Sequence, residues 1–361
     1  MWAERTPWGS KISGPIITIA ITFLLSNFRI IPAQAPSYEV VWSYLVPLAI
    51  PLLLFQANLV RIISKAGPTL IAYVIGAIGT IFGTVIAYYL LPLGEAGWKL
   101  AAIFCATYIG GSVNFAATAD TVGLRSGDLL SAGVAADNLL MSLYFIILFA
   151  LPSMGWLQRF FPSQINYKTS SSIQLDPALN IDKERFRILD LGESLAISAI
   201  ICALGYSLAT TLGIPDTKIL LITILIIILA TLFPAYIGSI KGAEKVGVLL
   251  MHIFFATIGA SANIEIVLRV GPLLFIFAAV ILIIHLFFLL LGGWLFKLKL
   301  SELAIASNAN TGGPTTAAAM AAAKKWPKLV TPAILCGTLG YGTATFIGVA
   351  LGKFLGGKGL L

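Results

Sequence analysis

Apolar residues gather into eleven long runs, at about 12–31, 42–60, 69–91, 99–119, 129–151, 189–212, 217–237, 247–268, 271–296, 301–322 and 330–355. Each is close to the roughly 20 residues that a helix needs to span the hydrocarbon core of a bilayer. Pro272–Phe296 runs 25 residues without an Asp, Glu, Lys or Arg. The pattern predicts an all-α polytopic membrane protein with about 11 transmembrane helices. Between 152 and 188 the character changes to Ser, Pro and mixed charges. The chain therefore divides into a first repeat (1–151), a polar connecting loop (152–188), and an extra helix plus second repeat (189–361).

The two halves align. Asn58 matches Asn263, Gly67-Pro68 matches Gly271-Pro272, and Gly110-Gly111 matches Gly312-Gly313, at offsets of 205, 204 and 202. Landmarks in the same order at near-constant spacing are the signature of an internal repeat. In this register 12–31 pairs with 217–237 and the next four runs pair in order, which leaves 189–212 without a partner. A helix preceding Met1 would be its counterpart, and Trp2-Ala3-Glu4-Arg5 reads as a loop, so the chain is expected to start late. Run 12–31, preceded by Lys11 and followed by Ala33-Gln34-Ala35, imitates a signal peptide. Its length and its counterpart in the second half favour a retained helix.

Orientation is less direct. Matched runs lie six apart, and an even difference gives parallel repeats. On an eleven-crossing count the two sides carry similar numbers of Lys and Arg. Arg61 and Lys65 then prefer one parity, and Lys241, Lys245, Lys297 and Lys299 the other. That conflict is what inverted repeats produce when one segment does not fully cross, so the expectation is inverted repeats.

Each half carries a break. Tyr108–Asp120 reads YIGGSVNFAATAD and Asn308–Met320 reads NANTGGPTTAAAM. A glycine pair weakens a helix. In hydrocarbon the freed backbone groups need partners, so broken helices persist only inside protein or beside a watery cavity. Paired breaks in matching halves point to a secondary transporter's binding site. The N–H groups after each break can hold an anion. The candidates are Gly110, Gly111, Ser112 and Asn114 from one half and Asn310, Thr311, Gly312, Gly313 and Thr315 from the other. Close helix packing through small residues explains the neighbouring alanines. It does not explain the amides and hydroxyls beside the glycines.

Asp137-Asn138 stands ten residues inside run 129–151. An ionised Asp near a helix centre costs roughly 2.5–3.5 kcal/mol on insertion scales. It is expected to hold a cation, take up a proton or pair with a base, and its run contains no Lys or Arg. Asn138, Asn308, Thr338 and Tyr341 complete the candidate cation-coupling set with Asp137. The alternative is a carboxyl facing a vestibule structurally. Gln56, Asn58, Ser261 and Asn263 are either caps or ion ligands. Asp120 and Arg125 form an expected surface pair, and Glu302 opens its helix. His285 is expected to be a neutral ring bonded to neighbouring backbone, because no other polar side chain shares its run.

Composition narrows the classes. Charged residues are 11% of the chain and apolar residues 58%, against roughly 25% charged in soluble domains. The net charge of +8 sits in short loops rather than in an aromatic-interleaved stripe, which argues against nucleic acid. Cys105, Cys202 and Cys336 lie in apolar runs without metal spacing. No nucleotide, zinc-protease or hydrolase motif occurs, so no enzyme activity is expected. Nor is any resident cofactor or metal expected beyond a transported sodium ion.

Lys11–Pro32 (KISG, LLSNFRIIP), Tyr108–Ala117, Asn308–Ala319 and Gly337–Gly348 (GTLGYGTATFIG) together resemble the YjcL-like family of membrane proteins of unknown function, over nearly the whole chain. More distantly, the paired breaks are similar to those of sodium–glutamate and sodium–bile acid symporters and cation/proton antiporters. That likeness implies inverted repeats, a core of crossed broken helices and a panel against which the core moves. It places Gly110, Gly111, Gly312 and Gly313 at the crossing. It sets Asp137-Asn138, in reversed order, where the antiporters carry an acidic–amide pair, and it allows a homodimer. The expected function is secondary transport of a small organic anion coupled to sodium or protons, in a bacterial inner membrane or organelle envelope. A cation/proton antiporter without organic substrate and a non-transporting scaffold or sensor are the alternatives.

Overall fold

The computed structural model describes residues 14–162 and 188–357. Most of the polar connector and the first 13 residues, with the expected late start, lie outside the described residues. Among the described residues there is no strand. The principal helices are α1 (Gly14–Asn27), α2 (Pro36–Leu54), α3 (Leu59–Lys65), α4 (Gly67–Leu90), α5 (Gly97–Gly110), α6 (Val113–Thr121) and α7 (Gly127–Ala150). They continue as α8 (Ile188–Thr211), α9 (Lys218–Leu232), α10 (Ala243–Ala260), α11 (Ile264–Leu295), α12 (Leu300–Ala323) and α13 (Pro327–Leu355). Seven of these (α2, α4, α7, α8, α10, α11 and α13) are long and apolar enough to cross a membrane, and α1 and α9 are shorter apolar helices.

Local chemistry sets the ends. Asn58 caps α3 by accepting from Arg61 N (3.1 Å), and Asn263 caps α11 by accepting from Glu265 N (2.9 Å). The two repeat-related asparagines are thus N-caps. Glu302 turns back to Lys299 N (3.0 Å) at the start of α12.

Prolines shape α2. Pro47 and Pro51 have no N–H to give to Ser43 O and Pro47 O, and one π-turn, Val41–Leu45, precedes Pro47. Both orphaned carbonyls find partners on α8. Tyr206 Oη donates to Ser43 O at 2.6 Å and Cys202 Sγ to Pro47 O at 3.4 Å.

Two of the predicted crossing segments do not run through. In 99–119, Lys99 Nζ reaches Gly123 O at 3.0 Å, although a continuous helix would separate those residues by about 36 Å. Phe104 and Phe115 also meet, with centroids 6.5 Å apart. In 301–322, Thr316 Oγ1 donates to Asn308 Oδ1 at 2.7 Å, and Asn308 Nδ2 lies 3.7 Å from Met320 Sδ. Each segment is a helical hairpin whose two ends lie on one side: α5–α6 in the first half and the two legs of α12 in the second. The expectation of eleven through-running spans is corrected accordingly. Hydropathy measures the length of an apolar run and is blind to a reversal inside it.

The helices pack in two groups. One is α4, the α5–α6 hairpin, α7, α11, α12 and α13; the other is α1, α2, α8, α9 and α10. Glycines set the close approaches in the first group. A Cβ at Gly83 would lie 2.8 Å from Ile281 O, and one at Gly348 would lie 2.7 Å from Ala106 Cβ. Small residues at a helix interface permit such backbone proximity. The α4–α11 contact is antiparallel, with Gly83 beside Ile281 and Ile75 beside Gly292. So is α2–α10, where Trp42 meets Phe254 (4.8 Å between centroids) and Leu53 meets Gly247.

Candidate functional site

The hairpin tips share one backbone solution. Gly111 has φ 80°, ψ 177° and Gly313 has φ 82°, ψ −171°. That region is open essentially to glycine alone. Pro314 follows the second tip, its fixed φ suited to a first helical position. The tips touch, since a Cβ at Gly111 would stand 3.2 Å from Gly313 N. The predicted crossing of Gly110, Gly111, Gly312 and Gly313 is therefore a single place in the fold, formed by two hairpins meeting head-on.

Side chains hold each tip. Asn114 Nδ2 donates to Gly110 O (2.9 Å), and Asn114 Oδ1 accepts from Thr345 (2.7 Å). Tyr73 Oη donates to Ile109 O (2.7 Å). In the second hairpin Asn308 accepts from Thr316, and Thr311 donates to Ser307 O (2.9 Å). Tyr341 packs on Gly313, where a Cβ would lie 3.1 Å from its hydroxyl oxygen. Ser112 and Thr315, just past the two breaks, are exposed. Each begins a leg; in the first, Asn114 N and Phe115 N bond Gly111 O (3.1 Å) and Ser112 O (3.2 Å), which leaves the N–H groups of Ser112 and Val113 ahead of them at the tip. Gly312 is half-buried and Asn310 is buried at 0% exposure, with neither amide atom hydrogen-bonded.

Members of the predicted cation set differ in how they are engaged. Asn308 is committed to its hairpin, and Thr338 Oγ1 donates to Ile334 O (2.8 Å) in its own helix. Asn138 Nδ2 donates to Val134 O at 2.8 Å. Asp137 remains. It is buried, and its Oδ1 and the hydroxyl of the nearby Tyr108 have no hydrogen-bond partner apart from each other. Tyr108 stands in the first repeated motif, which draws attention to its glycines, and nothing in that motif marks the phenol as the neighbour of Asp137. No group of three His, Cys, Asp or Glu that could hold a metal occurs among the described residues.

His285 has more partners than its own helix suggested. Its Nδ1 lies 2.8 Å from Gly76 O and 2.9 Å from Thr80 Oγ1, and its Nε2 lies 2.9 Å from Ser307 Oγ, itself 2.8 Å from Tyr144 Oη. A carbonyl only accepts. As a neutral ring His285 therefore donates from Nδ1 to Gly76 O, and Nε2 accepts from Ser307. One imidazole ties α4, α7, α11 and α12 together beneath the tips.

At the outer end of the first hairpin the expected Asp120–Arg125 pair forms (2.9 Å) and extends further. Arg125 also contacts Glu39 (3.1 Å) and lies 4.6 Å above the Trp42 ring, and Lys218 is 3.5 Å from Asp120. This four-residue chain joins the hairpin group to α2 and α9. It borders a cavity of about 390 Å³ shared with Tyr206 and Thr210.

A family described as protein of unknown function (DUF819) matches residues 1–357. The chain is 35% identical over 367 residues to the uncharacterized membrane protein YjcL of Bacillus subtilis (strain 168), covering 97% of this chain and 92% of that protein. Together with the apolar helices, this identifies an integral membrane protein.

Proposed function

The chain belongs to the DUF819 family, and from that premise we propose that it is a secondary active transporter moving a small organic anion coupled to a cation. The observation that carries this is the meeting of two glycine-tipped hairpins, each exposing a hydroxyl residue and a helix start at the contact. Helix N-termini attract anions. An anion at the tips and a cation at Asp137 would neutralise one another, so that the loaded site can reorient.

In this reading the two halves are inverted repeats. Nine helices cross (α1, α2, α4, α7, α8, α9, α10, α11 and α13), and the two hairpins dip in from opposite faces. Repeat-related helices are then five crossings apart, an odd number. The antiparallel contacts of α4 with α11 and of α2 with α10, each a repeat-related pair, support this. So does an exchange of partners. Asn27, closing α1, donates to Ala262 O (2.9 Å) beside the end of α10; Thr231, near the end of α9, bonds Leu59 N (3.2 Å) just beyond α2.

The same count resolves the charge conflict. Arg61, Lys65, Lys241, Lys245, Lys297 and Lys299 fall on one face, and Lys324, Lys325 and Lys328 follow the second hairpin there. The positive-inside rule makes that face cytoplasmic. The first hairpin then enters from outside and the second from the cytoplasm.

The test is a thermal-shift screen of purified protein against small carboxylates, followed by uptake of any stabilising compound into proteoliposomes under an imposed cation gradient. A compound that binds the folded state raises its stability. Stabilisation by a carboxylate, lost in Gly313→Leu, is the expected result. If cation-dependent proton movement occurs with nothing else added, the antiporter alternative replaces the symporter.

A further inference from the structure

We propose that the Asp137–Tyr108 pair is a proton-binding site, so that the coupling ion is H+ rather than Na+. Its role in coupling rests on the transporter reading; the binding itself rests on the burial of the two side chains and on the register that sets them one turn beyond the Phe104–Gly133 contact. Asp137 is 6% exposed and Tyr108 0%. Asp137 Oδ1 and Tyr108 Oη have no other hydrogen-bond partner, and the carboxyl and the phenol lie within interaction range of each other. The hairpin explains the pairing. Because the first segment turns back, α5 and α7 run parallel, and Phe104 lies against Gly133 one turn before Tyr108 reaches Asp137. A Cβ at Gly133 would meet Phe115 Cζ at 3.4 Å and Phe104 Cε2 at 3.6 Å, so aromatic rings wall this end of the site.

A hard cation requires a shell of oxygen ligands. Within the predicted cation set, Thr338 hydrogen-bonds its own helix and Asn308 clamps its tip, as Asn114 does in the first hairpin. Of the other titratable groups on α7 and the helices packed against it, Glu244 and Lys245 stand in the first turn of α10, Glu265 and Arg269 in the first two turns of α11, Asp128 accepts from Asn263 N and Glu302 from Lys299 N, and the rest are turned to other partners. His285 on α11 is bonded to Gly76 O and Ser307, Tyr144 on α7 itself to Ser307, and His252 on α10 to Val248 O (2.8 Å). Lys99, at the start of α5, is held by Gly123 O. One carboxyl beside one phenol suits a single proton. Uptake from hydronium forms an O–H bond on Oδ1, leaves water and removes the negative charge. Release restores the carboxylate, towards which the Tyr108 hydroxyl turns its hydrogen.

The test is infrared difference spectroscopy of the full-length protein in lipid, acid minus alkaline, in sodium chloride and in choline chloride. The expected result is a protonated-carboxyl band that titrates identically in both salts. It disappears in Asp137→Asn, persists in Asp137→Glu and shifts in frequency in Tyr108→Phe. The proposal is overturned if no band is lost in Asp137→Asn, or if sodium suppresses it. It is equally overturned if sodium stabilises the wild type but not a folded Asp137→Asn. Because no solute is needed, these outcomes are separate from a failure to find a transported anion.

Discussion

Pro47 and Pro51 strip two carbonyls of their helical partners, and α8 answers with Tyr206 and Cys202. A carbonyl left buried and unpaired costs about 1–3 kcal/mol. Tyr206→Phe is therefore expected to lower stability by roughly that amount, read as a fall in melting temperature in detergent, with Tyr44→Phe, which is exposed, as a silent control. The same logic separates the asparagines. Asn114 and Asn308 have their polar atoms engaged at the tips, whereas Asn310 has both amide atoms unpaired at 0% exposure. Asn114→Ala is expected to destabilise the folded state, while Asn310→Ala costs less stability and alters ligand response, separable by melting with and without a stabilising carboxylate. Individual residues of the site were visible in the amino-acid order because amides are rare in apolar runs. Their partners were not, because Tyr108 and Asp137, or His285 and Ser307, meet only through the fold.

At the scale of elements, the two hairpins depend on one backbone conformation repeated. Gly111→Ala and Gly313→Ala each force a side chain into a region that costs of order 1–3 kcal/mol. Each is expected to lower the melting temperature, and the double variant to fall short of additivity because the tips touch. Additive losses would mean that the tips act separately. The glycine pairs and their offset of 202 were legible, since they are local requirements written into residue type, whereas Asn58 and Asn263 read equally as caps or ion ligands until the fold made them caps. The direction of the chain after each pair was not. An apolar run of some 20 residues reads the same whether it crosses or turns back, and here Lys99 and Gly123, or Asn308 and Met320, decide the matter.

For the whole molecule, the proposed arrangement of nine crossings and two opposed hairpins predicts opposite sides for Arg29 and Lys241. In a variant lacking the three native cysteines, a membrane-impermeant thiol reagent applied to right-side-out vesicles is expected to label Arg29→Cys and to spare Lys241→Cys. Labelling of both, or the reverse pattern, would remove the inverted arrangement.

The charged chain Glu39–Arg125–Asp120–Lys218 belongs to this scale, because it straddles the two helix groups. At the position matching Asp120 in the second half stands Ala322, which is exposed and carries no charge. The two repeats therefore differ in charge at this matched position. In the proposed transporter, with the first hairpin entering from outside, this charged chain closes the outer rim, and solute arriving from that side must first undo a knot of charges. With Ser112→Cys as the reporter, reagent from the cytosolic side is expected to react in the otherwise unaltered protein. Arg125→Ala should let it react from both sides, turning a one-way waiting room into a two-way one.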